Sequence, residues 1–113
     1  MENLTKLLTS LKDVTQQCLR YVELKSKNGE NLEHNEVINE YYGAMEAIAQ
    51  QISTIFDEKN NLDLIANTAL MDGVSKIVEF FSSVSNDQVL DKNEVEELQM
   101  DRIIDMAQKQ KQE

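Results

Sequence analysis

Apolar residues recur along the N-terminal half of this chain at alternating steps of three and four. Leu4, Leu7, Leu11, Val14, Cys18 and Tyr21 follow that rhythm, and beyond Asn28-Gly29 it resumes through Ile38, Tyr41, Met45, Ile48, Ile52 and Ile55. Such spacing puts every member on one face of an α-helix and predicts helices packed along their lengths. The first helix runs from about Glu2 to Lys27 and stops at Asn28-Gly29, two residues that tolerate a left-handed backbone. A polar connection, Glu30 to Glu33, leads to a second helix from His34 or Asn35 to Lys59, and Asn60-Asn61 forms the next break. The third covers Leu62 to Val84, with Asp63 placed near its start to suit the helix dipole. Ser85-Asn86-Asp87 then interrupts the pattern, and Ser85 with Gln88 has capping-box spacing. The last helix begins there, or near Asp91, and reaches about Lys109, with residues 108–113 as a frayed polar tail.

The flanking positions say what the stripe packs against. With Leu4 and Ile38 as position a of a heptad, position e is Leu8, Thr15 and Val22, then Tyr42, Ala49 and Phe56. A two-stranded coiled coil would carry charges there. A largely apolar e row widens the stripe to that of a bundle helix. The third helix, with Met71 and Val78 at a and Val74 and Phe81 at d, widens to the other side through Leu70, Ile77 and Val84. Short breaks make successive helices antiparallel neighbours. The expectation is an all-α fold: a small up-and-down antiparallel bundle of about four helices in one domain spanning residues 1–107. The first two helices form a heptad-patterned hairpin of roughly 35–40 Å at 1.5 Å per residue. The last helix is the anomaly. Val95, Leu98, Met100, Ile103, Ile104, Met106 and Ala107 spread over roughly two-thirds of its circumference, so it either sits deep in the bundle or waits for another chain.

Composition supports this picture and narrows the partners. The 113 residues include no proline and three glycines, which suits long helices. One cysteine allows no internal disulfide, and neither a signal-like N-terminus nor a run of roughly 18 apolar residues is visible, so the expected setting is cytoplasmic. The formal charge is −10, from 21 acidic against 11 basic residues. That balance repels phosphate backbones and anionic membranes, and the expected partners are proteins with neutral or basic surfaces, or a second copy in a homo-oligomer.

Little in the chain points to catalysis, metals or cofactors, and none is expected. His34 has no Glu three residues before it and no second histidine, which a bundle di-metal site requires. Val37 and Ile38 stand where a phosphotransfer histidine would be followed by basic and small residues. Cys18 falls on the core stripe and reads as a small buried hydrophobe. Asp91 and Asn93 could open a calcium loop, but Val95 replaces the third oxygen ligand and Glu96 the turn glycine. Two surface features remain. Glu94, Glu97, Asp101 and Asp105 share one face of the last helix at 3-4-4 spacing, either as a solvated face or as a rim for a basic partner. Phe80 lies off the core stripe and, with Ile103, Ile104 and Met106, is a candidate apolar contact. The expected function is non-enzymatic: an adaptor, scaffold or assembly subunit that works by helix packing. The alternative is an acidic inhibitor or chaperone that covers a basic, nucleic-acid-binding surface of its target.

Overall fold

In the computed structural model, which describes residues 2–32, 34–57, 68–84 and 89–111, the chain forms helices α1 (Glu2–Lys27), α2 (Glu36–Asp57), α3 (Thr68–Ser82), α4 (Lys92–Glu97) and α5 (Met100–Lys111). The expected end of the second helix at Lys59, the Asn60-Asn61 break, the start of the third helix and the Ser85–Gln88 cap lie outside the described residues.

Helix α1 stops where the sequence says it should. Gly29 has φ +74°, the Gly29 amide donates to the Ser26 carbonyl at 3.0 Å, and the Glu30 amide reaches back to Lys25 at 3.2 Å. This pair of bonds is a Schellman cap, and it satisfies carbonyls that the helix end leaves open. Helix α2 begins at Glu36, one or two residues after the expected start at His34 or Asn35. His34, expected at or beside the helix start, is exposed and has φ 58°, so it belongs to the reversal and not to the helix. Asn35 is the cap: its Oδ1 accepts from the Val37 amide at 2.8 Å and the Ile38 amide at 3.1 Å. Its Nδ2 donates to the Tyr21 hydroxyl at 3.2 Å, which ties the start of α2 to the last turns of α1. Leu32, buried in the connection, seats the reversal on the core.

The four long helices close into an antiparallel ring in the order α1-α2-α3-α5, each packed on its two neighbours. The particle is elongated, 49 × 21 × 18 Å. Its core takes Leu4, Leu8, Leu11 and Cys18 from α1 and Ile38, Tyr42, Met45, Ala49 and Ile52 from α2. Leu70, Val74, Ile77 and Phe81 come from α3, and Met100, Ile103 and Ala107 from α5. Thr15 is also buried; its hydroxyl donates to the Leu11 carbonyl at 2.6 Å, so burial leaves no donor unpaired.

The buried positions in α1 and α2 therefore fall in rows a and e (Leu8, Thr15, Tyr42 and Ala49 of the latter, with Val22 half-buried), whereas the d row (Leu7, Val14, Tyr21, Tyr41, Ile48, Ile55) is half-buried. A helix with neighbours on two sides turns the midpoint of its apolar arc toward the bundle axis. That leaves one edge of the original stripe at the α1–α2 seam.

The last helix of the sequence reading is two helices. Asp91 caps α4 by accepting from the Asn93 amide at 2.8 Å, and α4 ends after six residues. Gln99 has φ 53°, and the Leu98 and Gln99 amides close back on Val95 and Glu96 at 3.1 and 3.0 Å. The break answers the problem of apolar residues on too many sides. In one continuous helix, Val95 and Leu98 would face away from Met100, Ile103 and Ala107. With the turn at Leu98-Gln99, both groups pack against the core. Helix α5 then continues to Lys111, past the expected fraying point, with Lys109 paired to Asp105 at 3.1 Å.

Candidate functional site

The short length of α4 leaves an opening beside it. Helix α4 has no buried residue, so it roofs only part of the space between α1 and α5. A cleft of about 650 Å³ remains between α1 and the α4–α5 corner. Its floor is Thr15, Leu19 and Val22 from α1 with Leu90, Val95 and Met100 opposite. Its rim mixes signs evenly: Lys12, Arg20 and Lys92 against Glu23, Glu96 and Asp101. Lys12 and Asp101 are paired across the cleft, linking α1 to α5. Both side chains keep solvent contact, so the pair contributes little to stability and can exchange for a partner's groups.

A second recess, of about 430 Å³, lies where the end of α3 meets the approach to α4. It is lined by Tyr42, Phe80, Val84, Leu90 and Glu94, among others, with the exposed Val89 at its edge. Phe80 meets Phe81 edge-on, ring centroids 5.0 Å apart at 84°. Two adjacent aromatics can thus share the core boundary, Phe81 wholly inside and Phe80 half out. Burial pushes the Tyr42 hydroxyl up from its usual range. The nearby Cys18 thiol adds to the rise, and a hydrogen bond with the Leu90 backbone opposes it.

The residues singled out from the sequence are dispersed by this fold. Phe80 and Glu94 come together at the second recess. Asp101 belongs to the cleft rim, and Glu97 is exposed at the last position of α4. Asp105, on the outer side of α5, pairs with Lys109. The acidic stripe is therefore not one straight face: the turn at Gln99 divides Glu94 and Glu97 from Asp101 and Asp105. Ile103 is no surface contact but core, pressed against Gly73 of α3, where a Cβ would overlap its Cδ1 and lie 2.9 Å from its Cγ1. Ile104 and Met106 are half-buried against the same core. Sequence reasoning missed the cleft floor. Its one available signal was Leu19, an apolar residue on the polar side of the first heptad stripe.

Among the described residues, Cys18 and His34 lie apart, one in the core and one on the surface. Cys18 is buried, and burial pushes its thiol up to about 11, which suppresses the thiolate needed for nucleophilic or metal chemistry. His34 lies on the surface of the α1–α2 reversal. Among the described residues no group of three or more His, Cys, Asp or Glu side chains could hold a metal ion, and no helix is long and apolar enough to cross a membrane.

Comparison with known protein families, with characterised proteins and with solved structures finds no match for the chain.

Proposed function

We propose that this protein is a non-enzymatic interaction module that receives an amphipathic helix of a partner protein in the cleft between α1 and the α4–α5 corner. The observation that carries the proposal is the make-up of that cleft: an apolar floor about Leu19, Val22 and Val95 inside a rim of balanced charge. Helix-in-groove recognition needs an apolar trough for anchors at helical spacing, with polar edges to set register. The surrounding elements suit it. Helix α4 is short, capped by Asp91 at one end and turned at Leu98-Gln99 at the other, and it forms one wall of the trough with Val95 facing α1. The single free thiol is compatible with a reducing, cytoplasmic setting.

The alternative, an acidic cover for a nucleic-acid-binding surface, has less support. Of the four carboxylates it would use, Asp101 and Asp105 already face a lysine of the same chain, and Glu94 and Glu97 lie beyond the turn.

The test is a photo-crosslinking residue at Gln99, on the cleft wall, with Lys76 on the exposed side of α3 as control. Irradiation in cells is expected to give a discrete protein adduct at Gln99, none at Lys76, and loss of the adduct when Leu19→Glu charges the floor. Equal labelling from both positions, or an adduct indifferent to Leu19→Glu in a folded variant, would refute the proposal.

A further inference from the structure

The α1–α2 hairpin turns a second apolar surface outward, on the side away from α3 and α5. Its centre is a ladder of three rungs across the seam. The rings of Tyr21 and Tyr41 stand 6.2 Å apart, tilted at 53°, and at the far end Leu7 and Ile55 line one shallow groove. Seven residues back along α1 and seven forward along α2 put Val14 beside Ile48 between them. All of these side chains are half-buried by the seam and half-open to solvent.

What surrounds the ladder is more telling. The adjoining g positions are exposed and carry no charge: Ser10, Gln17 and Leu24 on α1, Val37, Ala44 and Gln51 on α2. Leu24 is 59% exposed and Val37 39%. They lie at the same level of the antiparallel pair and extend the ladder past the tyrosines. In a chain that is 28% charged and carries −10, two adjoining rows with no charged residue of their own depart from its composition. Lysines flank them at both ends: Lys6 beside Leu7 and Ile55, and Lys25 with its Nζ 5.7 Å from the centre of the Tyr21 ring. Specific interfaces have that character at their centre: charge is depleted and aromatics are enriched.

We infer that this strip is a two-fold interface with a second copy of the chain, with the symmetry axis parallel to the helices. Two molecules of charge −10 repel each other least where acidic residues are absent, and the d and g rows of this hairpin carry none. The outer rim decides the direction of the axis. With the axis along the helices, α1 of one copy faces α2 of the other at the same level, and the exposed Arg20 meets Glu40 of the second copy, twice over. With the axis across the helices, α1 would face α1 in reverse, and Lys6 would meet Arg20 of the second copy. Charge complementarity selects the first arrangement. The strip measures roughly 30 Å by 20 Å, or about 600 Å² per copy, from 1.5 Å per residue and the width of two helices. Two copies bury about 1,200 Å², the lower limit for a specific complex, so the dimer is reversible. The strip lies on the side of α1 away from the cleft floor, and Arg20, which also lines the cleft rim, is a residue the two surfaces share, so Leu24→Glu with Val37→Glu is the variant that separates them.

Sedimentation equilibrium of the full chain from about 1 µM to about 1 mM spans the affinities such an area supports. The expected mass rises from that of one chain, 13.0 kDa, toward twice that value as concentration increases. The double variant Leu24→Glu with Val37→Glu, both at exposed sites, is expected to weaken association at least about tenfold while helical content is unchanged. Arg20→Glu is expected to weaken association and Glu40→Arg to restore it in that background, a rescue that non-specific clustering would not show. A monomer throughout the range would overturn the inference and leave the cleft proposal untouched. So would a dimer that survives Leu24→Glu with Val37→Glu but dissociates with Leu19→Glu.

Discussion

Gly73 stands in the middle of α3, where glycine costs a helix about 1 kcal/mol relative to alanine. Replacing it by alanine should therefore stabilise the protein, unless the space it leaves is needed. The space is needed: an added Cβ would overlap Cδ1 of Ile103, sit 2.9 Å from its Cγ1 and 3.8 Å from its Cγ2. Rotation about the outer torsion of Ile103 could move Cδ1 aside, but Cγ1 is fixed by the stiff inner torsion of a β-branched side chain. Since Ile103 is only 5% exposed, relief requires α5 to move off α3. Overpacking of this kind costs about 1–3 kcal/mol. Set against the propensity gain, Gly73→Ala is expected to destabilise by about 1 kcal/mol. Gly43 supplies the control, since it lies in α2 with nothing within 4 Å of its added Cβ. Gly43→Ala should stabilise by close to the full propensity term, about 1 kcal/mol. The assay is urea unfolding followed by circular dichroism, comparing midpoints at constant slope. Ile103→Val completes the cycle: alone it costs about 1 kcal/mol, but beside Gly73→Ala it removes the Cδ1 overlap and should cost less, with a coupling of about 1 kcal/mol. If Gly73→Ala stabilises as much as Gly43→Ala, the close approach of α3 and α5 is wrong.

Asn35→Ala should cost about 1–2 kcal/mol in the same urea assay, because the Val37 and Ile38 amides and the Tyr21 hydroxyl lose a partner together. Asn35→Ser should recover most of it by keeping the cap; equal losses for both would deny Asn35 its capping role. Stability should also fall at alkaline pH. The Cys18 thiol, ordinarily near 9.0, is raised to about 11 in the folded chain. The unfolded state therefore releases its proton first, and stability is full below pH 9 and declines toward pH 11, by up to about 3 kcal/mol across that range. Cys18→Ala should lessen the decline between pH 9 and 10, leaving the smaller part that comes from Tyr42, whose hydroxyl is also raised by burial and begins to ionise in the unfolded chain over the same range. A variant that declines as steeply as the parent there would contradict this account.

What the sequence made legible was local, and what it concealed was set by third and fourth neighbours. The end of α1 followed from Asn28-Gly29 because a Schellman cap is written in consecutive residues, and Gly29 takes the positive φ that its lack of a Cβ permits. The antiparallel hairpin followed from the heptad rows. Which of those rows would be buried did not. The same spacing describes a two-helix seam centred on a and d and a ring centred on a and e, and only α3 and α5 decide between them. Their presence turns Leu8, Thr15 and Tyr42 inward and leaves Tyr21, Tyr41 and Ile48 at the edge. The cleft is hidden in the sequence for a related reason. The sequence predicts one continuous helix through Leu98-Gln99, since neither residue is a conventional breaker. Yet the apolar residues on both sides of that point could not all face one core, and a left-handed Gln99 costs only about 1–2 kcal/mol. Packing Val95 and Leu98 against the core offsets that cost. The turn that reconciles them is also what shortens α4 and opens the cleft. The sequence anomaly and the candidate binding site are one feature, because an apolar surplus that cannot be buried along one helix bends the chain and leaves a trough beside the bend.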